Sequence, residues 1–120
     1  MKILVVDDSK AMRMIVIRTL KQAGFDDCVT LEASSGVEAL EVIAKERPGL
    51  ILSDWNMPEM KGIDLLKKLR ADGNETPFGF ITSESGEDIA HVATEAGAMF
   101  IVTKPFTAQK FGDVLSPILA

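Results

Sequence analysis

Five short apolar runs, separated by longer stretches of helical period, constrain this 120-residue chain most, because that alternation marks βα units feeding a parallel sheet. The runs fall at about residues 2–6, 28–33, 49–53, 78–82 and 99–103. Most are nearly continuous in apolar residues, as strands covered on both faces must be. The second alternates, Val29-Thr30-Leu31-Glu32-Ala33, which suits a sheet edge. The intervening stretches read as helices over about 10–23, 35–47, 63–70 and 85–97, with a fifth that carries Phe111 to Leu119. Gly24 is placed to cap the first of these in a left-handed conformation. Ser35-Gly36-Val37-Glu38 has capping-box spacing at the start of the second. Phe111, Val114, Leu115, Ile118 and Leu119 form one apolar stripe on the last.

Three of the runs stop at charged side chains. Lys2–Val6 runs into Asp7-Asp8, Leu50–Ser53 into Asp54, and Phe100–Thr103 into Lys104-Pro105. If the strands are parallel, their C-terminal ends share one edge, where open α/β sheets place their ligand sites. Three carboxylates and one ammonium sum to −2, the charge of a divalent cation's counterion set. Mg²⁺ suits such a site, since it takes hard oxygen ligands from one or two carboxylates and keeps waters and phosphate for the rest. Asp8 and Asp54 are the direct ligands expected, with Asp7 acting through water. With the cation bound, Asp54 stays ionised and is a competent nucleophile for aspartyl-phosphate formation. Lys104 would pair with the phosphoryl oxygens, and Thr82, ending Phe80-Ile81-Thr82, would donate its hydroxyl.

Composition narrows the partners. A net charge of −5 lacks the basic face that phosphate backbones require and is unsuited to anionic membrane surfaces. No apolar run approaches bilayer-spanning length. A single cysteine, Cys28, forms no internal disulfide and fits a reducing compartment, as a small buried hydrophobe. Only four apolar residues follow Lys2 before the aspartates, too few for a secretory segment, so a cytoplasmic location is expected. One domain over 1–120, with no output domain, accounts for the length.

Val5-Val6-Asp7-Asp8-Ser9, Ser53-Asp54-Trp55-Asn56-Met57-Pro58, Gly62, Thr82-Ser83, Ala96-Gly97-Ala98 and Lys104-Pro105-Phe106 together carry a resemblance. Over its whole length the chain resembles the receiver domain of two-component response regulators, above all the single-domain chemotaxis type. The resemblance implies a flavodoxin-like (βα)5 doubly wound sheet of five parallel strands in the order 2-1-3-4-5. Helices 1 and 5 would cover one face, and 2, 3 and 4 the other. It implies that Asp54 accepts phosphate from a histidine kinase, with Mg²⁺ held by Asp8, Asp54 and the Asn56 backbone carbonyl. Lys104 would contact the phosphoryl group, Thr82 and the adjoining Ser83 would act in the switch, and Lys104-Pro105 would be cis. Asn56 and Glu84 occupy positions that in the family set the hydrolysis rate of the acyl phosphate.

The implied output is altered partner binding by the helix 4–strand 5–helix 5 face of a monomer, as at a flagellar motor switch, with a phosphatase as a further partner. A relay intermediate or phosphate sink would use the same chemistry. One departure stands out. Many family members carry a tyrosine or phenylalanine three residues before the lysine; here that residue is Ile101, and Phe100 points the other way along a strand.

Two readings of other classes fit less well. A flavodoxin-like cofactor binder needs a phosphate-cradling loop after strand 1, where this chain has Asp7-Asp8-Ser9. An aspartate-nucleophile phosphatase needs a second acid two residues beyond its nucleophile, and Asn56 stands there. His91 is expected in solvent. Met12, Met14, Met57, Met60 and Met99 are expected mainly as core or loop fillers, and Ile89, Val92 and Ala93 as a core stripe, with part of a partner surface as the alternative.

Overall fold

A computed structural model describes residues 1–84 and 86–119. Five strands and five helices alternate: β1 (Lys2–Val6), α1 (Lys10–Gln22), β2 (Val29–Ala33), α2 (Gly36–Glu46), β3 (Leu50–Ser53), α3 (Gly62–Ala71), β4 (Phe78–Thr82), α4 (Glu87–Ala96), β5 (Phe100–Thr103) and α5 (Ala108–Leu119). All strands pair in parallel in the order β2-β1-β3-β4-β5, the doubly wound sheet expected. The alternating strand β2 is indeed an edge strand, and most of its residues stay partly or fully exposed.

Strand periodicity divides the core in two. Leu4, Val6, Ile51, Phe78 and Phe80 point toward α2, α3 and α4, where they meet Ala39, Ile43, Leu65, Leu66, Leu69 and Ala93. Ile3, Val5, Leu50, Leu52, Ile81 and Val102 point the other way, onto Val16 and Leu20 of α1 and Phe111 and Leu115 of α5. Burying both faces of β1, β3 and β4 leaves nearly every side chain on them inaccessible. That is why those runs lack polar residues until they stop.

Some local expectations shift. Strands β2, β3 and β5 start one residue later than their apolar runs, and the Cys28 amide turns back to the Phe25 carbonyl. Cys28 is half-buried. Only half of the capping box forms: the Ser35 hydroxyl accepts from the Glu38 amide at 3.1 Å, while the Glu38 carboxylate accepts from the Ser34 hydroxyl at 2.7 Å. Of the expected fillers, Met14, Met99 and Val92 are exposed, whereas Met57 and Ala93 are buried. His91 lies in solvent beside Glu95. The start expected for helix 4 includes Ser85, which lies outside the described residues; α4 itself begins at Glu87 with no side-chain cap.

Candidate functional site

Register brings the strand ends level. Val6 pairs with Ser53, Ser53 with Phe80, and Phe80 with Ile101. Asp7 and Asp54 therefore leave their strands at the same height, with Asp8, Thr82 and Lys104 within the next few residues. The Asp54 amide donates to the Val6 carbonyl at 2.9 Å and the Asp7 amide to the Ala33 carbonyl at 3.1 Å, so the ladder continues into the acids.

The expected residues meet. Asp7, Asp8 and Asp54 each turn a carboxylate oxygen into one crevice, all within 4.8 Å of one another. The Lys104 ammonium lies 3.5 Å from Asp54 Oδ1 and 3.7 Å from Asp7 Oδ2. Three hard oxygen donors this close, with one cation between two of them, fit a divalent ion of the Mg²⁺ class. Asp7 is buried, and that desolvation holds its carboxyl above the ordinary range. The Ser9 amide and Lys104 pull it down, while Asp54 and Asp8 push it further up. Lys104–Pro105 is cis, as expected.

Each acid is seated by its own main chain. The buried Ser53 hydroxyl donates to the Asp54 carbonyl at 2.9 Å, and Trp55 N–H donates to Asp54 Oδ1 at 2.9 Å. The loop after Asp54 then folds back, with the Gly62 amide on the Trp55 carbonyl at 3.0 Å. Any Cβ at Gly62 would collide with the Asp54 carbonyl oxygen, so this approach requires glycine. Trp55 anchors the loop in the core, its ring 4.8 Å from that of Phe80.

Thr82 is fully buried, and its hydroxyl oxygen accepts from the Glu84 amide at 3.0 Å, which leaves its proton free to donate. The Lys104 amide donates to the Thr82 carbonyl at 2.8 Å, tying these two site residues together through the backbone. Ser83 is exposed beside them. Across the crevice mouth, Asn56 Nδ2 donates to Glu84 Oε1 at 3.1 Å, joining the loops that follow β3 and β4. Ile101 is half-buried against the α4 side, while Phe100 packs on the α1–α5 side over Gly79. Phe100 therefore does not supply the aromatic that position 101 lacks.

Two polar features escaped the sequence reading. Ser9 caps α1, its hydroxyl accepting from the Met12 amide at 3.2 Å. Arg13, one turn into α1, reaches back to the Asp7 carbonyl. A Ser followed by a helical stretch was a legible cap signal; the Arg13 contact had none.

A parallel 2-1-3-4-5 sheet with this acid-and-lysine crevice defines a receiver domain. The family model described as the response regulator receiver domain matches residues 3–116, and the chain belongs to that family. Chemotaxis proteins are among its relatives. It is 45% identical to chemotaxis protein CheY1 of Helicobacter pylori, over 99% of this chain and 97% of the relative. It is 43% identical to a CheY homolog of Campylobacter jejuni, over 99% of this chain and 92% of that one. The crystallised chemotaxis protein CheY4 of Vibrio cholerae superposes with a TM-score of 0.86 at 33% identity, covering 98% of both chains. The chain is thus a receiver domain homologous to CheY chemotaxis regulators, consistent with phosphorylation-switched two-component signalling. Such domains are response regulators rather than classical enzymes. Among the described residues no helix is long and apolar enough to cross a membrane.

Proposed function

We propose that Asp54 accepts a phosphoryl group from a histidine kinase in a Mg²⁺-dependent reaction, and that the phosphorylated chain changes its partner in chemotaxis. The meeting of Asp7, Asp8, Asp54 and Lys104 within one crevice carries this reading. Asp8, Asp54 and the Asn56 carbonyl would hold the metal, with Asp7 reaching it through water. Bound Mg²⁺ supplies charge neutralisation for the carboxylates and the incoming phosphoryl oxygens.

An Asp54 oxygen attacks phosphorus; the bond from phosphorus to the donor breaks and its electron pair leaves with the donor. Asp54 Oδ1 already accepts from Trp55 N–H, which orients the carboxylate and leaves Oδ2 as the attacking atom. Lys104 pairs with the new phosphoryl oxygens, and Thr82 turns its free proton toward them. Asn56 and Glu84, bridged across the mouth, govern the access of hydrolytic water to the acyl phosphate. The altered face of α4, β5 and α5 meets the output partner, a motor switch component, and a phosphatase resets the monomer in the cytoplasm. The chain catalyses no turnover beyond its own phosphorylation and dephosphorylation.

Intact mass tests the reading. A small acyl-phosphate donor with Mg²⁺ should add one phosphoryl group, and neither chelator nor Asp54→Asn should permit it. An unmodified, folded, metal-loaded wild type would reject the proposal. Partner capture with a phosphate-mimicking complex then separates the outputs: a motor component supports the chemotaxis role, and a histidine phosphotransfer domain a relay.

A further inference from the structure

Arg13 is a guanidinium on α1 whose side chain is only 12% exposed, yet it faces none of the site's carboxylates in an ion pair. Its Nε donates to Glu32 Oε1 at 2.9 Å, on edge strand β2, and its Nη1 donates to the Asp7 backbone carbonyl at 2.6 Å. That carbonyl belongs to the peptide joining Asp7 to Asp8. On its other side, Asp7 is held by its amide on the Ala33 carbonyl and by its carboxylate on the Ser9 amide. Asp8 is exposed, and among the described residues its carboxylate accepts no hydrogen bond. The Asp7–Asp8 peptide plane therefore sets the Cα–Cβ direction from which the Asp8 carboxylate reaches the crevice.

We propose that Arg13 is a positioning residue for metal binding: braced by Glu32, it fixes the Asp7–Asp8 peptide and so aims both carboxylates into the crevice. The inference rests on the crevice being the Mg²⁺ site. Outer groups that orient metal ligands commonly govern affinity about as strongly as some ligands do. A rigid planar fork suits this task, because one guanidinium reaches two acceptors in fixed directions. Lys104 has the opposite role: its ammonium faces the carboxylates themselves and balances their charge.

A geometric role and a charge role predict opposite signs. Removing a nearby positive charge would tighten cation binding, whereas releasing the Asp7–Asp8 peptide would loosen it. Mg²⁺ demands near-ideal octahedral geometry, while Ca²⁺ accepts flexible coordination, so loosening should penalise Mg²⁺ more.

The test is titration of Mg²⁺ and of Ca²⁺ by the emission of Trp55, the chain's one tryptophan, next to Asp54. Wild type is compared with Arg13→Met and with Glu32→Ala, which removes only the brace on an exposed edge strand; unfolding in chelator reports whether each variant is folded. We expect Mg²⁺ affinity to fall on the order of tenfold in Arg13→Met and less in Glu32→Ala, with a smaller loss for Ca²⁺. Unchanged or tighter Mg²⁺ binding in folded variants, or equal losses for both ions, would overturn the inference. A wild type with no Mg²⁺ response would instead remove the metal-site reading beneath it.

Discussion

Replacing Asp54 by Asn should make the metal-free protein more stable, although it removes an ion pair. At an effective dielectric of about 20, unit charges 4.8 Å apart interact by roughly 3.5 kcal/mol. The crevice places Asp54 that close to both Asp7 and Asp8, so two repulsions total about 7 kcal/mol when all three are ionised. Lys104, 3.5 Å away, returns about 5 kcal/mol. Taking the charge off residue 54 therefore removes about 2 kcal/mol of net repulsion, and exposure of Asp8 to solvent reduces this to about 1–2 kcal/mol. Asn keeps the oxygen that accepts from Trp55 N–H, so the local backbone need not move. Denaturant unfolding in chelator should therefore show Asp54→Asn about 1–2 kcal/mol more stable than wild type. Adding Mg²⁺ should stabilise wild type more than the variant and narrow the gap, because only ligand bound to the folded state contributes. A variant equal to or weaker than wild type in chelator would refute the electrostatic reasoning.

Three further outcomes follow from neighbouring residues. Burial raises the Asp7 carboxyl in the folded state, so protonated Asp7 favours folding: this contribution is full below the ordinary carboxylate pKa and is lost as pH rises through the raised value. In chelator, stability attributable to Asp7 should thus fall as pH rises from the acidic range toward neutral, and Asp7→Asn should flatten that slope in a pH series of unfolding curves. Gly62→Ala drives a methyl into the Asp54 carbonyl and should cost about 1–3 kcal/mol or more on unfolding while also lowering phosphorylation, since the displaced backbone carries the nucleophile. Gly79→Ala meets the Phe100 ring and should cost a similar amount, about 1–3 kcal/mol, without altering Mg²⁺ affinity; Phe100→Leu in the same chain should recover part of the stability.

Much of this molecule was legible because β1, β3 and β4 are buried on both faces. Such strands tolerate almost no polar side chains, so Asp7, Asp54 and Thr82 mark where they emerge, and parallel pairing gathers them with Lys104 at one edge. The period of two likewise separates Ile101 from Phe100 onto opposite faces, as the two halves of the core show. What resisted reading depends on side-chain reach across the fold. Arg13 joins Glu32, 19 residues away, to a backbone carbonyl, and neither partner is implied by spacing on a helix. Glu38 had the right position for a reciprocal cap, but the Ser34 hydroxyl took its carboxylate. Val92 is apolar yet exposed, because hydropathy does not tell where a helix's covered face ends; Met99 is exposed in the connection between α4 and β5.

The central claim is that one carboxylate among the crevice acids receives the phosphoryl group. Borohydride reduces an acyl phosphate to an alcohol, so phosphorylation with a small donor and Mg²⁺, followed by reduction and peptide mass mapping, locates the acceptor. Conversion of Asp54 to homoserine, with Asp7 and Asp8 unaltered, is the predicted result. Conversion at Asp7 or Asp8, or phosphate retained on a hydroxyl such as that of Thr82, would contradict it.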